Sequence, residues 1–254
     1  REHIASVAFS PDGKLLAVGS KFKNINLLQV SDGRQLSGFR GDLTDMMNNV
    51  KESMKKKEGY QETWDLEQWA WTMDSLAFSP NGKMLVGCCV RDCTLWQVTD
   101  RQILYTFQGS NAAFSPNGKF LAIGSPGSME ESNVIELWRL ADNQKIQTLK
   151  GHLNIVTDVA FSPNGKLLAS GSWDRTVRLW AVRGNKKFQT LAGHSKMITS
   201  VAFSPNGKLL ASGSDDQTIR LWELADGEPG SSGTVQWSAI GADRLIFLTD
   251  SQGV

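Results

Sequence analysis

The feature that most constrains this chain is a segment of 30 residues that occurs twice in tandem. Gly151–Trp180 reads GHLNIVTDVAFSPNGKLLASGSWDRTVRLW, and Gly193–Trp222 reads GHSKMITSVAFSPNGKLLASGSDDQTIRLW, so the two copies begin 42 residues apart. Looser copies of the central part lie at Phe9–Ser20, Phe78–Cys89 and Phe114–Ser125. A fixed period of this length indicates a series of equivalent structural units.

Each copy predicts short strands joined by tight turns. In the two closest copies, the sequence S-P-N-G supplies a proline for the second turn position and a glycine where the backbone needs a positive φ. The following segment, KLLASGS, consists largely of small and apolar residues that suit a strand packed on both faces. The segment TVRLW then alternates and ends on a large aromatic residue. With one more strand after that aromatic, each unit is predicted to hold four strands.

The repeated motifs resemble the WD40 family. The resemblance rests on the Gly-His pairs that begin at Gly151 and Gly193 and on a tryptophan that follows leucine near the end of each copy. The family's Trp-Asp dipeptide is imperfect, since Ala181 follows Trp180. The resemblance implies that residues 1–254 form an all-β, WD40-type β-propeller of six to seven blades.

The last part of the chain departs from the repeat. After Leu224 the sequence ADGEPGSSG lacks the apolar alternation of a fourth strand. Residues 228–254 are predicted to form a degenerate blade with two strands. We therefore expect that the ring is incomplete in these residues and that the chain is attached to further domains or lacks its closing strands.

A second interruption separates the first two blades. Between Gly41 and Phe78 the period gains 27 residues, which we assign to Asp42–Gln68. Apolar residues at helical spacing predict a helix within this insertion. Two alternatives remain open for it: a lid packed on the propeller, or an adaptable docking site for a partner. The insertion residues with the clearest binding character are Met46, Met47, Trp64 and Trp69.

Charge and cysteine content limit the function classes. The 27 basic and 26 acidic residues give a net charge of +1, which offers no electrostatic case for binding nucleic acid or an anionic membrane. No apolar run reaches the ~20 residues of a membrane helix. The three cysteines, Cys88, Cys89 and Cys93, match no common zinc spacing and are predicted to be buried small residues. This sparse set indicates a reducing, cytoplasmic location.

Each of the two closest copies carries a serine, a histidine, an aspartate and a tryptophan at matching positions. The two sets are His152, Ser170, Asp174 and Trp180, and His194, Ser212, Asp216 and Trp222. As residue types, the first three could serve a serine hydrolase as base, nucleophile and orienting acid. However, the set occurs twice and no nucleophile-elbow motif surrounds either serine. The family resemblance implies instead a buried hydrogen-bond network, so we predict a chain without catalytic residues, cofactor or metal.

The predicted function is binding of other proteins or peptides, as a non-catalytic scaffold within a larger signalling or regulatory protein. The alternative is a propeller-based hydrolase with a site on the top face, which carries the loops before the first strand and after the second strand of each blade. WD40 proteins commonly bind partners through the loops before the first strand and after the second strand of each blade. The matching positions here are Ile155, Thr157, Trp173, Met197, Thr199 and Asp215. Trp173 is the most specific prediction among these positions, because Asp215 fills the same position in the next copy and tryptophan is enriched at binding hot spots.

Overall fold

Antiparallel strands account for all the regular structure in the described part of the chain. The computed structural model describes residues 4–20, 24–40, 75–89, 92–125, 133–182 and 189–224, and the backbone of residues 238–239 and 245–246. The strands form five consecutive sheets, which we call blades 1 to 5, and one further pair. The sequence-based prediction of an all-β chain built from repeated antiparallel units is confirmed.

Blades 1 to 4 have four strands each, and the described residues of blade 5 provide three. Blade 1 consists of β1 (Ile4–Phe9), β2 (Leu15–Ser20), β3 (Asn24–Gln29) and β4 (Gln35–Arg40). Blade 2 consists of β5 (Ser75–Phe78), β6 (Met84–Cys88), β7 (Asp92–Gln97) and β8 (Ile103–Gln108). Blade 3 consists of β9 (Asn111–Phe114), β10 (Phe120–Gly124), β11 (Val134–Arg139) and β12 (Gln144–Lys150). Blade 4 consists of β13 (Val156–Phe161), β14 (Leu167–Ser172), β15 (Thr176–Ala181) and β16 (Gln189–Ala192). Blade 5 consists of β17 (Ile198–Phe203), β18 (Leu209–Ser214) and β19 (Ile219–Glu223), and β20 (Ser238–Ala239) pairs with β21 (Leu245–Ile246).

The first strands of neighbouring blades lie next to one another. Strand β1 contacts β5, β5 contacts β9, β9 contacts β13, and β13 contacts β17. The blades therefore spread outward from an inner edge formed by their first strands. Four apolar clusters fill the four junctions between consecutive blades, so each blade is stabilised mainly by its neighbours.

The turn between the first and second strands has the predicted chemistry. In blade 4, Ser162 Oγ accepts a hydrogen bond from the Leu167 amide at 2.9 Å, and Asn164 Oδ1 accepts one from the Lys166 amide at 2.9 Å. Gly165 has a φ of 67°, a value at which a Cβ atom is strained. The same glycine conformation recurs in the other four blades, and this confirms the interpretation of the S-P-N-G motif as a turn.

The outer faces of blades 1 and 5 expose apolar side chains. Val7 in β1 is 57% exposed, whereas Val159 at the same position of blade 4 is 4% exposed. In blade 5, Ile219 is 47% exposed, whereas its counterpart Val177 is fully buried. Within the described residues, no blade covers either face. Blade 1 therefore exposes the face with which the other blades contact the preceding blade. Blade 5 exposes the face with which the other blades contact the following blade.

The cysteines of blade 2 require a correction. All three are buried, as predicted. However, Cys88 and Cys93 form a disulfide, whereas the Cys89 thiol lies outside it and donates to Asp92 Oδ1 at 3.1 Å. The pairing follows from strand register, because Cys88 in β6 lies directly opposite Cys93 in β7. The prediction that all three are reduced is therefore wrong for this pair.

Two predicted segments fall wholly or largely outside the described residues. They are the helical insertion 42–68, with Met46, Met47 and Trp64 inside it and Trp69 directly after it, and the degenerate blade 228–254, of which the structure describes only β20 and β21. The described residues provide three strands in the fifth blade and two after it, and the predicted strand counts of these two units stay predictions. The helix and the number of blades in a complete ring stay predictions.

Candidate functional site

The structure brings the four polar residues of blade 4 into one continuous hydrogen-bonded chain. Trp180 Nε1 donates to Ser170 Oγ at 2.8 Å, Ser170 Oγ lies 2.7 Å from His152 Nε2, and His152 Nδ1 lies 2.8 Å from Asp174 Oδ2. We assign the neutral histidine with its proton on Nδ1, because the serine hydroxyl then donates to Nε2 and every group in the chain has a partner. A network satisfied in this way stabilises its surroundings.

Blade 5 repeats this network with the same connectivity. Trp222 Nε1 donates to Ser212 Oγ at 2.9 Å, Ser212 Oγ lies 2.9 Å from His194 Nε2, and His194 Nδ1 lies 2.8 Å from Asp216 Oδ2. In both blades the histidine and serine are buried. The network therefore belongs to the repeat, and neither copy is a unique site.

Asp174 connects the network to two loops. One carboxylate oxygen accepts from the Leu153 amide at 2.9 Å, and the other accepts from the Thr176 amide at 2.9 Å and the Thr176 hydroxyl at 2.6 Å. Burial by itself raises a carboxyl pKa, but hydrogen bonds from His152, Thr176 and a backbone amide outweigh it and hold the pKa of Asp174 well below its ordinary value. Burial is likewise outweighed at Asp216 by hydrogen bonds from Thr218 and His194, and the pKa of Asp216 is lowered.

The order carboxylate, imidazole, hydroxyl matches that of a serine hydrolase, but the surroundings of the hydroxyl differ. Ser170 is completely buried, and its oxygen already accepts the Trp180 N–H. A nucleophile has to reach an external acyl group, and this oxygen is enclosed between strands. The geometry supports a network that fastens the loop before β13 to strands β14 and β15.

Two apolar side chains stand out from the loops above the blade 4 network. Leu153 is 81% exposed and Trp173 is 46% exposed. Their backbones are nevertheless fixed, because the Leu153 amide donates to Asp174 and the Trp173 amide donates to the Ile155 carbonyl at 2.9 Å. We call these two side chains the Leu153–Trp173 pair. They lie on adjacent loops of the same face, in positions that the buried network holds rigidly.

Leu153 is the one candidate binding residue that the sequence reasoning missed. The signal was present in the repeat, because Ser195 occupies the same position in the near-identical copy. A leucine that replaces a serine in a solvent-exposed loop is not required by the turn. The same comparison had already singled out Trp173 against Asp215.

The other predicted binding residues differ in how accessible they are. Thr199 and Asp215 are exposed, while Ile155 and Met197 are half-buried. The half-buried Thr157 is engaged within the fold, since its hydroxyl donates to the Ile198 carbonyl of blade 5 at 2.8 Å. Thr157 therefore connects two blades along the inner edge.

Further hydrogen bonds cross from blade to blade along this edge. Asn111 Nδ2 donates to the Val156 carbonyl at 2.8 Å, and Asp158 Oδ2 accepts from the Val201 amide at 2.8 Å and the Ser200 hydroxyl at 3.1 Å. Burial raises the pKa of Asp158, although these hydrogen bonds act in the opposite direction. Together with Thr157, these contacts fix blades 3, 4 and 5 relative to one another, so the loops above them form a preorganised surface.

The described residues contain no group of three or more histidine, cysteine, aspartate or glutamate side chains arranged to hold a metal ion. A helix long and apolar enough to cross a membrane is also absent from that part of the chain.

The sequence profile of the family described as "WD domain, G-beta repeat" matches residues 1–21, 143–181 and 185–223. These three segments are WD40 repeats. No curated protein matches it. WD40 repeats generally serve as non-catalytic scaffolds for protein interaction, which agrees with a face of rigid loops above buried networks.

The remaining WD40 blades lack the full network, and blade 2 shows the consequence. Gly87 stands where Ser170 stands in blade 4. The indole nitrogen of Trp96 is buried and has no hydrogen-bond partner among the described residues. In blade 3, Ile123 occupies the serine position and Trp138 Nε1 donates instead to Glu136 at 3.0 Å.

A pair of matched substitutions isolates the energy of the indole hydrogen bond. Both Trp96→Phe and Trp222→Phe remove the same part of a buried aromatic ring, but only Trp222 loses a hydrogen bond. We expect Trp222→Phe to lower the free energy of unfolding by about 1–2 kcal/mol more than Trp96→Phe does. Urea denaturation followed by circular dichroism measures both values. Equal losses in the two variants would contradict a stabilising role for the serine–tryptophan contact.

Proposed function

We propose that this chain is a non-catalytic protein-interaction scaffold that binds a partner protein or peptide through the loops of blades 4 and 5. The observation that carries the proposal is the Leu153–Trp173 pair, two exposed apolar side chains on loops whose backbones are fixed by hydrogen bonds. A tryptophan on a rigid surface is a favoured binding hot spot. Its partner would contribute an apolar side chain that covers the indole ring.

The rigidity of the loops supports binding without reorganisation. Ordering a flexible loop at an interface costs free energy that is subtracted from the affinity. Here Asp174 holds the Leu153 amide, and Ile155 holds the Trp173 amide, before any partner arrives. Functional loops on a rigid β-scaffold are a general arrangement for recognition.

The exposed residues of blade 5 extend the proposed surface. Thr199 and Asp215 are exposed, and the Asp215 amide donates to the carbonyl of the half-buried Met197 at 3.1 Å. A partner that covers both blades would therefore meet an apolar half centred on Trp173 and a polar half centred on Asp215. This asymmetry gives the near-identical repeats different binding properties.

The wider setting is part of the same proposal. We propose a WD40-type propeller of six to seven blades that spans residues 1–254, within a larger signalling or regulatory protein in the cytoplasm. The nearly balanced charge of the chain supports protein partners over nucleic acid or membrane. Whether the 42–68 insertion is a lid or a docking element stays a prediction.

Exchanging residues between the two near-identical blades tests the function without disturbing the fold. The double variant Leu153→Ser/Trp173→Asp gives blade 4 the residues of blade 5, in which the same backbone is already stable. Proteins captured by immobilised parent and variant are compared by quantitative mass spectrometry after crosslinking. We expect the variant to capture at least tenfold less of each partner than the parent does. The thermal stability of the two proteins should be the same.

The matched control is Ile146→Ser, which removes an exposed apolar side chain from β12, away from the loops. It should capture the same partners as the parent. If the double variant retains every partner, or if the control loses them equally, binding does not occur through the Leu153–Trp173 pair.

A further inference from the structure

The face opposite the Leu153–Trp173 pair carries one exposed lysine in each blade. The lysines follow the glycine of the turn between the first and second strands, at the other end of the strands from Trp173. They are Lys14, Lys83, Lys119, Lys166 and Lys208.

The backbone of each lysine is fixed in the same way. In blade 4, the Lys166 amide donates to Asn164 Oδ1 at 2.9 Å, and the Lys166 carbonyl accepts from the Val182 amide at 2.9 Å. Equivalent hydrogen bonds of 2.8–3.1 Å recur at the other four lysines. Each of the five lysines therefore has a fixed backbone and an exposed side chain, and the positive charges recur once in each blade.

Successive turns lie close to one another. Pro163 Cδ of blade 4 lies 3.5 Å from the position that a Cβ atom on Gly207 of blade 5 would occupy. The three preceding pairs of turns meet in the same way, at 3.5–3.8 Å. The turns thus form one continuous rim along the inner edge, and the lysines stand on this rim at one per blade.

Most of the positive charge on the rim is not neutralised. Four of the five turns carry a neutral asparagine, and only the first carries an acid, Asp12. Hydrogen bonds from the Ser10 hydroxyl and the Lys14 amide lower the pKa of Asp12, so it is ionised and offsets Lys14. None of the other four lysines forms an ion pair with a described residue.

Two of the acidic groups farther out on this face are already paired, whereas Asp100 and Glu223 are exposed and form no ion pair with a described residue. In the turns between the third and fourth strands, Asp142 contacts Arg139 at 2.6 Å, and Asp32 lies 3.8 Å from Arg34. These aspartates therefore do not compensate the lysines of the rim. The inner edge presents a local positive charge that the net charge of +1 for the whole chain conceals.

We propose that the rim formed by Lys83, Lys119, Lys166 and Lys208 binds an acidic peptide segment, rich in aspartate and glutamate, of a partner protein. The chemistry of the rim favours carboxylates over nucleic acid. The five S-P-[DN]-G-K turns contain no aromatic residue on which a base could stack. They also contain no arginine, whose planar fork is suited to phosphate. The site is independent of the function proposed above, because it lies on the opposite face.

A fluorescein-labelled peptide of ten glutamates tests the proposal by fluorescence anisotropy at low ionic strength, about 50 mM. The test variant is Lys119→Gln/Lys166→Gln, and the matched control is Lys196→Gln, which removes an exposed lysine from the opposite face. We expect the double variant to bind at least tenfold more weakly than the parent, while the control and Lys119→Arg/Lys166→Arg bind like the parent. Binding by the parent should weaken as salt increases, and a decaglutamine peptide should not bind.

Three outcomes would overturn the proposal. One is equal affinity of the parent and the Lys119→Gln/Lys166→Gln variant for the acidic peptide. Another is an equal loss of affinity in Lys196→Gln, since general charge attraction would then account for binding. The third is tighter binding of a single-stranded oligonucleotide or of polyphosphate than of the acidic peptide, because the rim would then select phosphate groups.

Discussion

Replacing Trp180 with alanine is expected to lower the free energy of unfolding by about 3–5 kcal/mol. Trp180 is 4% exposed and belongs to the cluster that joins blades 3 and 4. Its removal leaves a large cavity in that junction. It also removes the N–H group that donates a hydrogen bond to Ser170. The loss of this hydrogen bond lowers the free energy of unfolding further. Urea denaturation followed by circular dichroism measures the change.

Trp173→Ala is the matched control for this substitution, because it removes the same side chain seven residues earlier in the chain. Trp173 is 46% exposed and belongs to none of the four apolar clusters, so we expect a change of about 1 kcal/mol, well below the change at Trp180. The contrast separates the structural tryptophan from the proposed binding tryptophan within a single blade. A loss of several kcal/mol at Trp173, or none at Trp180, would reverse the two assignments.

Asp174→Ala is expected to lower the free energy of unfolding by about 2–4 kcal/mol at neutral pH, because it leaves several hydrogen-bond donors, one of them on the buried His152, without an acceptor. These donors include His152 Nδ1, the Leu153 amide and both donors of Thr176. The pKa of Asp174 is lowered in the folded protein. Its contribution is therefore fully present above the ordinary carboxyl pKa of about 4 and is lost as the pH falls below that value.

The difference in stability between the parent and Asp174→Ala should accordingly narrow as the pH decreases. Denaturation curves recorded at pH 7, 5, 4 and 3 reveal this trend. Asp215→Ala, which removes an exposed carboxylate from the corresponding turn of blade 5, is the control and should differ little from the parent at any pH. A difference that stays constant down to pH 3 would show that the charged carboxylate is not what stabilises the network.

The repeat predicted what happens within a blade, because alternation and turn chemistry are local. The S-P-N-G segment indicated a turn with a positive φ at glycine, and Gly165 has that conformation. The matching serine, histidine, aspartate and tryptophan residues indicated a shared network, and His152 and Ser170 lie 2.7 Å apart. In each case the relevant contacts lie within one repeat of 42 residues.

Contacts between blades could not be predicted in the same way. Thr157 was expected on a binding surface, but its hydroxyl bonds to Ile198 of the next blade. That contact depends on how two sheets pack, and no pattern within one strand encodes it. The disulfide was missed for a related reason. The register of β6 against β7 puts Cys88 opposite Cys93, and the residue pattern of either strand alone does not indicate that register.

Because consecutive blades join through chemically equivalent residues, the junctions are interchangeable. Val159 of blade 4 faces blade 3 as Val201 of blade 5 faces blade 4, and both are buried. Gain or loss of one complete repeat in the gene would therefore recreate an existing junction rather than demand a new one. The near-identity of blades 4 and 5 is what recent duplication of such a unit produces. Loop residues such as Leu153 and Trp173 are then free to diverge, since neither contributes to a junction.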